Sequence, residues 1–150
     1  MAEHYWIDTN FFLRLITGDP KEMSRDAWEL VSLVDRGELK LRASSIVVAE
    51  CIWVLESVYE YQAEQIAAAL RKYVTSDVID FEDKQVIEGA LEDYERQGVD
   101  YIDAFVARKA RLSPHPRVIT WDRDFRRLDV EWSRPSEVVQ RIRRKPRGTE

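Results

Sequence analysis

Six acidic residues carry the chemistry this sequence offers: Asp8, Glu50, Asp100, Asp103, Asp122 and Asp124. Asp8 follows the short run His4-Tyr5-Trp6-Ile7, and Asp122 follows Val118-Ile119-Thr120-Trp121. Each stands where a strand hands over to a turn. Aspartate is a common cap and turn residue, so neither means much alone. Two at the carboxyl ends of strands match the rim where α/β sheets place their sites. Glu50 is the sharper signal. On a helix its neighbours at three and four positions are Ile46, Val47, Trp53 and Val54. A carboxylate buried in that setting needs a counter-charge, a metal or a proton. The alternatives are a lysine or arginine partner, or a narrow exposed stripe. Asp100 and Asp103 are three apart and share one face of a helical turn. Asp100 suits the cap, while Asp103, followed by Ala104-Phe105-Val106, is expected to point inward. Asp124 either binds a metal through water or caps the turn after Asp122. Carboxylates gathered at one point repel one another unless a cation sits among them. An all-oxygen donor set suits a hard divalent ion, Mg²⁺ or Mn²⁺.

Other chemistries have little to work with. The single cysteine, Cys51, lies in an apolar run and reads as a buried core thiol. His4 sits beside the amino terminus, and His115 lies between Pro114 and Pro116 in a loop. A zinc site or a Ser/His/Asp triad is therefore not expected.

The elements that must position these acids follow from periodicity. Strands are expected at residues 4–8, around Leu39 and Leu41, at 78–81, at 117–121 and around Val130 and Trp132. Helices are expected at 10–17, 21–36, 45–59, 63–74, 83–97 and 100–112, with a final helical turn or two at 135–142. The start of the third helix, Ile46-Val47-Val48-Ala49, is apolar all round, as in a buried helix. Strands alternating with helices predict an α/β fold of three layers, α/β/α, with a central, mostly parallel sheet.

The chain of 150 residues suits one domain, and no linker, repeat or low-complexity segment divides it. Net charge is 23 − 28 = −5, but its distribution is uneven. Residues 141–150 hold Arg141, Arg143, Arg144, Lys145 and Arg147 against Glu150, leaving 18 − 27 = −9 for residues 1–140. A domain over 1–140 and a basic carboxyl-terminal tail over 141–150 are expected. The tail is either a solvated end or a contact for phosphate or an acidic partner. No secretory signal or membrane-length apolar stretch is evident, so a soluble, cytoplasmic protein is expected.

Four blocks together resemble a known family: Asp8-Thr9-Asn10 followed by Phe11-Phe12-Leu13-Arg14; residues 48–55 around Glu50; Val99-Asp100-Tyr101-Ile102-Asp103-Ala104; and Thr120-Trp121-Asp122-Arg123-Asp124-Phe125. In this order the chain is similar, over about residues 5–132, to PIN-domain ribonucleases of the VapC toxin type. The resemblance implies a metal-dependent endoribonuclease, the toxin of a type II toxin–antitoxin pair. It makes Asp8, Glu50, Asp103 and Asp122 the acidic quartet. Asp8 and Asp103 would hold Mg²⁺ or Mn²⁺ directly, and Glu50 and Asp122 would complete the shell, with Asp100 and Asp124 as secondary ligands. It also implies an RNA substrate cut by a water nucleophile, a cognate antitoxin and a homodimer. Thr9 and Asn10 are expected to donate hydrogen bonds near the substrate phosphate. Thr120 is expected to orient Asp122. Arg14 either neutralises a phosphate or a partner's acid, or is a plain surface charge. Trp28, Trp53, Tyr59 and Tyr61 are candidate contact residues or plain core. A receiver- or haloacid-dehalogenase-like phosphatase or phosphoacceptor domain is the rival, but no lysine follows Thr120 where such a site needs one. A non-catalytic module on the same fold is the third possibility.

Overall fold

The computed structural model describes residues 1–148. It contains seven α-helices and five strands among those residues, in the order β1 (Glu3–Trp6), α1 (Thr9–Thr17), α2 (Lys21–Asp35), β2 (Leu39–Ala43), α3 (Ser45–Ser57), α4 (Ala63–Val74), β3 (Ile79–Phe81), α5 (Lys84–Gln97), α6 (Tyr101–Arg111), β4 (Arg117–Ile119), β5 (Glu131–Ser133) and α7 (Pro135–Arg144). A short 3-10 helix, Arg123–Arg127, follows β4.

All strand pairs are parallel. They form two sheets rather than one: β1-β2-β3 and, separately, β4-β5. The parallel pairing agrees with the expected mostly parallel sheet, and its hydrogen bonds fall into these two parts. In the first sheet β2 is central and alternates strictly. Leu39, Leu41 and Ala43 are buried, while Lys40 and Arg42 point outward. The amide of Ile7 donates to the carbonyl of Arg42 (2.8 Å), so pairing continues to the residue before Asp8.

The main core lies between that sheet and helices α1, α3, α4 and α5. Phe12 is fully buried, its ring edge-on to Tyr73 (centroids 5.4 Å apart) and tilted against Phe81 (5.6 Å). Leu55, Ile66, Leu70, Ile87 and Leu91 complete the centre. The Tyr73 hydroxyl donates to the Leu15 carbonyl (3.1 Å), tying α4 to α1.

Helix ends follow their capping chemistry. Asp8 and Asp100 cap α1 and α6. Gly18 closes α1 in the left-handed region (φ 68°), where a Cβ would be strained. Helices α5 and α6 are locked by Arg108, which grips Asp93 with two hydrogen bonds (2.7 and 2.9 Å). Gly89 makes room for it: a Cβ there would stand 2.9 Å from the Arg108 Cδ.

Helix α7 crosses position 140, where the basic tail was expected to begin, so Arg141, Arg143 and Arg144 are helical. Thr149 and Glu150, the end of that tail, lie outside the described residues.

Candidate active site

Asp8 leaves β1 and caps α1. Its Oδ1 accepts from the Phe11 amide (2.9 Å). One residue on, the Thr9 hydroxyl donates to Glu50 Oε2 on α3 (3.0 Å). Cys51 is fully buried behind them, its thiol 3.7 Å from the Thr9 carbonyl, as expected of a core cysteine. Burial, and then the charges of Glu50 and Asp8, push that thiol far up from its ordinary range.

Glu50 itself is exposed. The expectation of a carboxylate buried in an all-apolar helix is corrected. Val47, Val48, Cys51, Ile52 and Leu55 are buried, but Ile46 (71% exposed) and Trp53 (65%) share the open stripe with Glu50. The apolar character continues onto the solvent side of α3, which made the helix read as buried. That stripe forms one wall of a cleft of about 290 Å³, and Asp100, Tyr101 and Ile102 of α6 form the other. Glu56 also lines the cleft, a residue that sequence reasoning passed over. Its spacing of three from Trp53 was the available signal. Its carboxylate accepts a hydrogen bond from the Tyr94 hydroxyl. Burial, that bond and the charges of Glu56 and Asp100 hold Tyr94 well above the ordinary phenol range.

The other acids form a second group. Asp100 Oδ1 accepts from the Ile102 amide (2.8 Å). Asp122 Oδ1 accepts from the Asp124 amide (2.9 Å), so Asp122, not Asp124, caps the turn. The Asp122 amide donates to Thr120 Oγ1 (2.9 Å), a bond that fixes Asp122 through its backbone. Asp103 is half-buried. Its carboxyl is held above the ordinary range by partial burial, by the charges of Asp100 and Asp122, by a hydrogen bond shared with Asp122 and by the charge of Asp124.

Asp8 and Glu50 both lie near the Cys51 thiol, and Asp100, Asp122 and Asp124 lie near Asp103. Glu50 and Asp100, one from each neighbourhood, line the same cleft. Among the described residues, no three His, Cys, Asp or Glu side chains are placed to hold a metal ion.

The donor set nevertheless fits a hard divalent cation. It is all oxygen, and none of the six acids joins an ion pair among the described residues.

Asn10 is exposed at the start of α1, beside Thr9, whose hydroxyl is spent on Glu50. Arg14 is not brought to the acids. It lies near the far end of α1, where its guanidinium donates to the Asp19 carbonyl. Between the two expectations for Arg14, a phosphate or partner contact and a plain surface charge, this backbone contact adds a structural role. Trp28 and Trp53 are exposed, whereas Tyr59 and Tyr61 are half-buried and stack edge-on (5.9 Å).

The parallel strands, the helices around them and a rim of unpaired carboxylates define a class. Residues 5–131 match the PIN domain, and the chain belongs to that family. Its fold is thus the expected three-layer α/β/α type, and the receiver- and dehalogenase-like alternatives are not favoured. More particularly, the chain is similar to a protein from Aquifex aeolicus (strain VF5) named VapC ribonuclease. The two are 23% identical over 131 residues, covering 87% of this chain and 96% of that protein. No solved structure matches the chain significantly.

Proposed function

We propose that this chain is a divalent-metal-dependent endoribonuclease, the toxin of a type II toxin–antitoxin pair. The observation that carries this reading is the set of acids without cationic partners at the strand and helix ends of a PIN domain. The similarity to a VapC ribonuclease along nearly all of both chains supports RNA as the substrate.

In this reading Asp8 and Asp103 hold Mg²⁺ or Mn²⁺, and Glu50 and Asp122 complete the shell, with Asp100 and Asp124 at its edge. A divalent ion held there would supply an activated water and charge neutralisation at the phosphate. The residues do the rest. Thr9 holds Glu50 in place by its 3.0 Å hydrogen bond. Thr120 and the cap formed by Asp122 fix the position of that carboxylate. Asn10, open at the amino end of α1, is free to donate to a substrate phosphate.

The cleft of Ile46, Trp53 and Ile102, rimmed by Glu50, Glu56 and Asp100, suits a peptide with apolar and basic side chains. That chemistry is what a cognate antitoxin tail would need, and exposed Trp28 offers apolar surface for a homodimer. No helix among the described residues is long and apolar enough to cross a membrane, and a cytoplasmic location accords with an RNA substrate.

The test is incubation of the purified protein with single-stranded RNA and Mn²⁺, with and without chelator. Metal-dependent internal cleavage is expected. Intact RNA with phosphate release from a small ester would favour a phosphatase, and neither product would leave a non-catalytic module.

A further inference from the structure

The matched family region ends at residue 131, and α7 begins beyond it, at Pro135. Residues 134–147 contain Arg134, Arg141, Arg143, Arg144, Lys145 and Arg147 against one acid, Glu137, a balance of 6 − 1 = +5. The rest of the chain then carries 17 − 27 = −10. None of the six cations joins an ion pair among the described residues. A chain that is acidic elsewhere, with a rim of six carboxylates, repels a polyanion. An attractive field must come from another element.

Topology puts that element at the rim. β5 runs parallel to β4, with Ser133 in register with Ile119. The Thr120 amide donates to the Ser133 carbonyl (3.0 Å), and the Thr120 hydroxyl accepts from the Asp122 amide. Helix α7 therefore departs two residues after the strand end that borders Asp122. Ten helical residues extend roughly 15 Å, and its basic residues cluster in the last turn and just past it.

We propose that α7 and the basic segment after it, residues 134–147, form a phosphate-binding arm that holds the RNA strand beside the carboxylate rim. This rests on the reading of RNA as the substrate. Val138, Val139 and Ile142 make an apolar stripe on the same helix, and Val139 and Ile142 are exposed. That face alone would suit a protein contact. Six cations to one acid decide for a phosphate backbone.

The experiment uses the full chain carrying Arg141→Gln, Arg143→Gln, Arg144→Gln and Lys145→Gln together. Glutamine is a good helix former, and circular dichroism checks that the helix content persists. Binding of a fluorescent single-stranded RNA is followed by anisotropy in chelator, where cleavage plays no part. Affinity is expected to fall at least about 10-fold, and the slope of log K against log salt to shrink by up to about 3, at roughly 0.7 per lost phosphate contact. Replacing the three arginines with lysine instead should keep most of the affinity. With Mn²⁺ added, KM should rise while kcat at saturation holds. Unchanged affinity and slope would overturn the proposal. So would a loss of affinity accompanied by a change in molecular mass by light scattering, which would assign α7 to contact between copies. Wild-type protein that binds through this arm but never cuts RNA would support the arm and sink only the hydrolase reading.

Discussion

The Thr9 hydroxyl donates to Glu50 Oε2 across 41 positions of sequence, and this 3.0 Å bond joins the start of α1 to the exposed stripe of α3. It places the first acidic group as a unit, because Asp8 caps the same turn. Thr9→Val keeps the shape and removes the donor. Cleavage should fall about 10-fold, with weaker activation by Mn²⁺, since partners that orient metal ligands typically contribute 10–100-fold. Thr9→Ser should restore most of the loss. Titration of activity against Mn²⁺ concentration checks both.

Asp8 and Asp122 each cap an element, and in the proposed function each also helps hold the metal. Asparagine caps as well as aspartate. Asp8→Asn and Asp122→Asn should therefore leave the melting temperature nearly unchanged while cutting cleavage by at least about 100-fold. Asp8→Ala should in addition lose about 1 kcal/mol of stability with the cap. Thermal melts beside cleavage assays separate the two roles.

Asp103 predicts a pH dependence. Its carboxyl is raised by partial burial and by Asp100, Asp122 and Asp124. The native state thus binds its proton more tightly than the unfolded chain does, so this group destabilises the fold increasingly as pH rises from the ordinary carboxylate range through its raised value. In chelator at pH 7, Asp103→Asn should raise the melting temperature. The gain should vanish as pH falls to the ordinary carboxylate range. Melts across pH 3.5 to 7, in about half-unit steps, follow it. The same variant should not cleave RNA.

How much of this was legible in the sequence differs by element. The order and kind of the elements followed from periodicity, because Gly18, Gly37 and Gly98 stop helices and β2 alternates without a fault. Caps were legible too, since Asp8 and Asp100 act locally. The exposure of Glu50 was not. Which face of an apolar helix stays open depends on what packs against it, and α6 leaves Ile46 and Trp53 uncovered. The separation into two sheets was equally hidden, because strand pairing is a long-range choice. The direction of Arg14 was not legible, because its place in the motif says nothing of where the guanidinium donates, which is to the Asp19 carbonyl.

Cys51 gives a further expected outcome. It is fully buried, and burial with two nearby carboxylates keeps its thiol protonated. The native protein should react with a thiol reagent such as Ellman's only as it unfolds, so the rate should track the denaturation curve. Stoichiometric labelling within minutes under native conditions would contradict the packing of α3 against α1.

Gly89 has a bearing on anyone who would engineer this protein. Replacing a mid-helix glycine by alanine ordinarily strengthens a helix by about 1 kcal/mol. Here the added methyl would stand 2.9 Å from the Arg108 Cδ, so the Arg108 side chain must shift while it holds Asp93. The routine gain should therefore shrink, which a thermal melt of Gly89→Ala checks.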